Sequence, residues 1–271
     1  TQIGLDHTDL LGDSPEAIAV HKAGIARPGV PFLHTVQRGA AREALEREAE
    51  ARGAEVERVL ETVRPESAGG TVTLHTPEGP VGPVQLGLWG AHQRRNAKLA
   101  LRCAQVAIGP LAPEASVRGL ADVVALAGVR GRAERWAGDR RIVLDVAHNA
   151  DGWRAAVGAI DATPRPAGRL WALVAAMADK DVRELASLLF ARGARVLTAP
   201  LASPRAYGAG PLAEALGWGD VVESVGAGIE RFQREADPDD WLLVTGSHAT
   251  VATALRGLED ETPRTSGAAM G

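Results

Sequence analysis

Short, nearly unbroken apolar runs at residues 141–146, 170–176, 194–199, 220–225 and 241–245 alternate with helical stretches that begin after Asn149, Lys180, Gly210, Gly226 and His248. Runs of that kind are strands covered on both faces, so the alternation predicts an α/β fold with a mostly parallel, doubly wound sheet. Ligands of such sheets sit beyond the carboxyl ends of the strands, which places Asp145, residues 176–181 and Gly246-Ser247 on one edge. Upstream the pattern is less regular. Asp13 or Ser14 caps a helix with Pro15 near its first position and Ile18, Lys22 and Ile25 on one face, closed by Gly24 and Pro28-Gly29. Residues 30–36 then read as a strand, 40–52 as a solvated helix of mixed charge, 71–76 and 84–86 as an antiparallel hairpin, and 91–108 as a long helix. Two prolines in Gly109-Pro110-Leu111-Ala112-Pro113 interrupt helix and sheet alike, so the expected domains are 1–110 and 114–258, with a polar, disordered tail at 259–271.

Composition narrows the function. With 271 residues, 45% apolar and 24% charged, the chain has the profile of a globular protein of one large or two modest domains. A net charge of −4 without long runs of either sign argues against nucleic acid or a membrane surface as partner and for a small molecule. The single cysteine, Cys103, excludes an internal disulfide and a cysteine-based zinc site. That usage fits a reducing compartment, and with no signal peptide and no apolar run near the roughly 20 residues of a membrane span it points to the cytoplasm. Only Lys22, Lys98 and Lys180 are lysines and only Asn96 and Asn149 are asparagines. Genomic base composition accounts for most of that bias, yet a lysine or asparagine retained in such a chain marks a place where arginine or aspartate would be chemically unacceptable.

Gly4-Leu5-Asp6-His7-Thr8-Asp9-Leu10-Leu11-Gly12 puts a histidine and two aspartates between a strand end and a helix start. That is either a place for a hard cation near phosphate or a capped loop with its histidine packed inside. Lys22 follows on the expected inward face of the helix, where a bare ammonium is costly and must be paired, neutral or modified. Residues 4–31 resemble the G-L-D-H-T-D-x-L-G-D…K-A-G-I-x-K-P-G-x-P segment of folylpolyglutamate and dihydrofolate synthases, in the Mur ligase superfamily. Arg27 replaces the family's common second lysine. The resemblance implies that His7 is a magnesium ligand and that Lys22 is carbamylated, holding a second metal or orienting the γ-phosphate. A lysine buried on an apolar face would have its pKa lowered toward the neutral amine that adds carbon dioxide, a reaction closed to arginine.

Two further blocks carry the likeness. His92 and Asn96, four apart on one helix face, are by themselves a cap and a surface amide. They also resemble the family's G-x-H-Q-x-x-N-A-x-x-A, which implies that Asn96 contacts ATP. Asp145-Val146-Ala147-His148-Asn149 alone reads as an Asn-capped helix start, and together with Gly131-Arg132 it resembles the family's G-R…D-x-A-H-N. In that likeness Arg132 and Asp145 bind ATP from the second domain, and His148 lies by the glutamate and the acyl phosphate. Val129-Arg130 stand where the family often has Trp-Pro. Met177-Ala178-Asp179-Lys180-Asp181 and Thr245-Gly246-Ser247 are weaker matches, from which Lys180 and Ser247 are implied substrate contacts. Surface pairing explains Lys180 equally well, and His248 replaces a common aromatic.

As a whole the resemblance implies the C-terminal part of a P-loop-type Mur ligase central domain followed by a Rossmann-like C-terminal domain that binds glutamate. The implied reaction joins L-glutamate to a folate or to dihydropteroate, driven by ATP with two Mg2+ ions, in a monomer. No G-x-x-x-x-G-K-[ST] phosphate loop occurs. The expectation is therefore a fragment, inactive alone. The alternatives are a non-catalytic folate- or glutamate-binding module and a Mur-type peptidoglycan ligase.

Overall fold

In the computed structural model, which describes residues 3, 11–37, 39–162 and 168–261, the chain forms two units, Thr1–Arg130 and Gly131–Gly271. In the first, Ser14 caps helix α1 (Pro15–Ala23), its Oγ accepting the Ala17 N–H at 3.2 Å. Pro15 sits in the first turn, where a missing N–H costs nothing. A strand β1 (Pro31–His34) follows, then helix α2 (Ala40–Ala51). Ala19 and Ala23 of α1 pack with Ala44, Leu45 and Ala49 of α2, small side chains that let the helices approach closely. β1 pairs in parallel with β2 (Glu55–Arg58), in register from Pro31↔Glu55 to His34↔Arg58, so the two strands end side by side.

A single turn of helix, α3 (Val59–Thr62), leads into an antiparallel meander of β3 (Arg64–Ala68), β4 (Thr71–Thr76) and β5 (Gly79–Val84). Helix α4 (Ala91–Ile108) covers it, burying Leu101 against Val72, Leu74, Val81 and Val84. The prolines at 110 and 113 do not divide the chain as expected. Pro113 opens a helix, α5 (Pro113–Ala121), which packs on β5, and Gly87 donates its N–H to the Leu120 carbonyl at 3.0 Å. Short helix α6 (Val123–Ala127) completes the unit, so the boundary falls after Arg130.

The second unit has the predicted alternation: β6 (Glu134–Arg135), β7 (Ile142–Leu144), α7 (Ala150–Asp161), β8 (Leu170–Val174), α8 (Arg183–Phe190), β9 (Arg195–Thr198), α9 (Ala209–Leu216), β10 (Asp220–Val221), α10 (Val225–Glu235), β11 (Trp241–Thr245) and α11 (His248–Glu261). The sheet order is β10-β9-β8-β11-β7-β6, parallel throughout except for β6, a short strand antiparallel to β7. Every residue of β7, β8 and β11 is buried, as strands with helices on both faces require. β11 inserts between β7 and β8, and that reversal of strand order makes the carboxyl ends of these three strands the natural ligand edge. Residues 259–261, expected in the tail, continue α11 beyond the buried Leu258, and the rest of the expected tail lies outside the described residues. Among the described residues no helix is long and apolar enough to cross a membrane.

Candidate functional site

The site grows from the last residue of the β7 run. Asp145 is 6% exposed, and each carboxylate oxygen accepts a backbone N–H: Oδ2 from Ala133 at 2.7 Å, Oδ1 from Ala147 at 2.8 Å. Burial pushes its carboxyl up to about 6, against the opposing pull of those two N–H groups and of Arg132 and His148. The Ala133 bond anchors a tight turn. Gly131 has φ +66° and donates to Glu134 Oε2 at 2.7 Å, while Ala133 itself adopts φ +52°. A side chain at Gly131 would place its Cβ 2.6 Å from Val251 Cγ1, so only glycine brings the turn this close to α11. The turn leaves Arg132 exposed at the carboxyl edge of the sheet, between buried Gly131 and Ala133. Asp145 is thus placed otherwise than expected: it holds the backbone that carries Arg132 and is not itself laid open to a ligand.

His148 is half-buried, and its Nδ1 donates to the Val146 carbonyl at 3.0 Å. Its ring lies 5.7 Å from that of His248, centroid to centroid. Burial, then the charges of Arg132 and His148, hold His248 below the ordinary histidine range, which puts all three groups in one neighbourhood. Asn149 caps α7, accepting the Gly152 N–H at 2.9 Å. The Ala147 carbonyl ties this segment to β11 through Gly246 N–H at 3.1 Å and to α7 through Trp153 Nε1 at 3.1 Å.

Ser247 directly precedes α11. It is buried, its Oγ accepts the Thr250 N–H at 3.1 Å and it lies 2.7 Å from Thr250 Oγ1, so it starts α11 as a cap. Gly246 before it has φ +116° and runs so close to β8 that a Cβ there would stand 2.4 Å from the Ala175 carbonyl oxygen. Lys180 lies on the loop after β8, its Nζ 3.4 Å from Asp179 Oδ2. That loop is stitched to residues 203–207 by Ala178 N–H to the Arg205 carbonyl at 2.8 Å and Tyr207 N–H to the Ala176 carbonyl at 2.9 Å.

In the first unit Lys22 is exposed, contrary to expectation. The buried stripe of α1 is Ile18, Ala19 and Ala23, and Ile25 is 74% exposed. Lys22 lines a cavity of about 580 Å³ with Ile25, Arg27, Leu99 and Cys103. Burial holds the Lys98 ammonium, on α4, below the ordinary lysine range. Asn96 is exposed on the same helix, its Nδ2 donating to Gln93 Oε1 at 3.0 Å. His7 lies outside the described residues. Among those described, no group of three or more His, Cys, Asp and Glu side chains converges to hold a metal ion.

Glu134 and the Ala133 N–H, which hold the arginine turn, are absent from the residues expected in the site. Ala133 acts through its N–H, which no residue type advertises; the Gly131-to-Glu134 spacing was the one available signal.

Residues 131–248, which hold this mostly parallel sheet with its arginine turn, Asp-x-x-His-Asn strand end and Thr-Gly-Ser corner, match the Mur ligase glutamate ligase domain. The chain is 30% identical over 264 residues to the dihydrofolate synthase/folylpolyglutamate synthase of Escherichia coli, covering 96% of this chain and 59% of that protein. It is 28% identical over 269 residues to the folylpolyglutamate synthase of Lacticaseibacillus casei, covering 94% and 60%. Escherichia coli FolC in complex with DHPP and ADP superposes with TM-score 0.83 at 28% identity over 96% of this chain and 60% of that one. The bifunctional folylpolyglutamate synthase/dihydrofolate synthase of Yersinia pestis, complexed with AMPPNP and Mn ion, superposes with TM-score 0.81 at 28% identity over 95% and 60%. The chain is similar to folylpolyglutamate synthases over nearly its whole length, and it spans about 60% of the length of these relatives.

Proposed function

We propose that this chain is part of an ATP-dependent ligase that joins L-glutamate to the glutamate γ-carboxylate of a folate, to the carboxylate of dihydropteroate, or to both. The carboxylate attacks the γ-phosphorus of ATP, ADP leaves, and an acyl phosphate forms. The α-amine of L-glutamate then attacks the acyl carbon and expels phosphate, losing a proton as the amide forms. The observation that carries this reading is the turn fixed by Asp145, which projects Arg132 from the switch-point edge, where a guanidinium meets phosphate oxygens in fork geometry. His148 would stand at the same edge beside the acyl phosphate and glutamate, and Lys180 beside a glutamate carboxylate. Asn96 would offer donor and acceptor together to the nucleotide. Asp145 and Ser247 would serve as positioning residues for the arginine turn and for α11.

Magnesium and a carbamate on Lys22 belong to the same proposal, with His7 as ligand, but no step is assigned to them. The setting would be cytoplasmic and the protein a monomer. The test joins this chain to the part of the Escherichia coli relative that it does not match and supplies Mg-ATP, labelled L-glutamate and, in separate arms, tetrahydrofolate, dihydropteroate and a nucleotide-linked muramyl peptide. Label entering a folate or pteroate product supports the proposal. Label entering only the muramyl arm, or none in a chimera that binds ADP, refutes it. Mass spectrometry of the peptide containing Lys22 separately reads whether carbon dioxide is attached.

A further inference from the structure

The parallel strands β1 and β2 end side by side in the first unit, distant in sequence from the arginine turn. A cavity of about 470 Å³ opens there among His34, Gln37, Arg42, Arg58 and Glu61. The register sets His34 beside Arg58 at the strand ends, and α2 supplies Arg42 and Glu46 one turn apart.

Glu46 is fully engaged. Arg58 donates to both its oxygens, from Nε and Nη2, each at 2.8 Å, and this fork holds its carboxyl below the ordinary range. His34 is 3% exposed. The Val36 N–H donates to its Nδ1 at 3.2 Å, so the ring proton sits on Nε2, which lies 3.1 Å from Glu46 Oε1 but out of line for a hydrogen bond. Arg42 stands apart from this pairing. Its side chain is 18% exposed, with Nε 3.5 Å from Glu46 and Nη1 3.9 Å from Glu61. Its guanidinium makes no hydrogen bond among the described residues, and Nε is buried without a partner.

A half-sequestered guanidinium that donates to nothing is costly unless something accepts from it. Glu46, 3.5 Å away, offsets part of its charge but accepts no hydrogen bond from it, and Glu61, 58% exposed, stays near 4 Å from both arginines, so the N–H groups of Arg42 have no acceptor among the described residues. The planar fork of arginine matches two oxygens of a carboxylate or phosphate.

We propose that this cavity binds a small oxyanion, phosphate or carboxylate, with Arg42 as its principal donor and Gln37 and His34 Nε2 beside it. Asn96, Arg132, His148, Lys180 and Lys22 do not line this cavity.

The test titrates the 271-residue chain, labelled with [15N]arginine, with sodium phosphate and separately with sodium acetate in a chloride buffer, following the guanidinium Nε–H resonances. The Arg42 resonance is assigned by its loss in Arg42→Met, whose fold is checked by circular dichroism. A saturable shift of that resonance with either anion is expected, and which anion gives it identifies the source. Arg42→Lys keeps the charge but not the fork and should weaken binding about tenfold. Glu61→Gln removes the competing carboxylate and should tighten it by a factor on the order of three. No saturable shift with either anion, or Glu61→Gln binding more weakly than the parent chain, would overturn the assignment.

Discussion

Replacing Asp145 by asparagine keeps the side-chain shape and removes a buried charge that two backbone N–H groups need. Asparagine has one carbonyl oxygen, so its amide NH2 must face either the Ala133 or the Ala147 N–H. That leaves one buried donor unsatisfied, at a cost of about 1–3 kcal/mol. A second, pH-dependent effect separates this account from any generic loss of packing. In the folded chain Asp145 takes its proton at about 6, against an ordinary value of 3.8. The fold therefore holds the proton more tightly than the unfolded chain. The stability this contributes is complete below the unfolded value and is lost as pH rises through about 6. The whole effect is about 3 kcal/mol, of which about 2 kcal/mol falls between roughly pH 4.5 and 7.5.

Asparagine does not titrate, so the stability gap between the parent chain and Asp145→Asn should close by about 2 kcal/mol from the lower to the higher pH. Urea unfolding followed by tryptophan fluorescence reads this, since five of the six tryptophans lie in the second unit. With a urea slope of about 2 kcal/mol per molar, the difference between the two midpoints changes by about 1 M. A difference that stays constant with pH would refute the buried, proton-binding Asp145.

Ser247→Ala should remove the cap of α11, costing about 1 kcal/mol and lowering Tm by about 2–4 °C in a calorimetric scan; an unchanged Tm with weakened glutamate binding would restore Ser247 to a substrate contact. Gly246→Ala puts a Cβ 2.4 Å from the Ala175 carbonyl oxygen at φ +116°, and should abolish the cooperative tryptophan transition of the second unit.

Much of the second unit was legible because its strands are solid apolar runs and its first helix begins on Asn149, whose amide does what an N-cap must. The first unit was less so. β2 and β3 read Glu-Val-Glu-Arg and Arg-Pro-Glu-Ser-Ala, and β3 is exposed along its whole length, so no apolar alternation marks either strand. The face of α1 was misassigned for a different reason. Weighting Ile18 and Ile25 pointed Lys22 inward, but the close contact with α2 is made by alanines, and Ala19 and Ala23 turn the buried stripe away from Lys22. Arg132, Asp145 and His148 do share one strand-end neighbourhood, as the family resemblance implied. Their division of labour was not readable, because Asp145 works on the N–H of Ala133 and Ala147, and a backbone contact leaves no mark on the partner's residue type.

The central claim is that Asp145 serves nucleotide binding through the turn that presents Arg132. Equilibrium titration of Mg-ADP into the parent chain, Arg132→Ala and Asp145→Asn, below the urea transition of each, tests it directly. Loss of a charge-assisted phosphate contact is worth about 1.5–3 kcal/mol, so both variants should bind at least about tenfold more weakly than the parent. A folded Asp145→Asn chain that binds Mg-ADP as the parent does, while Arg132→Ala does not, would contradict it.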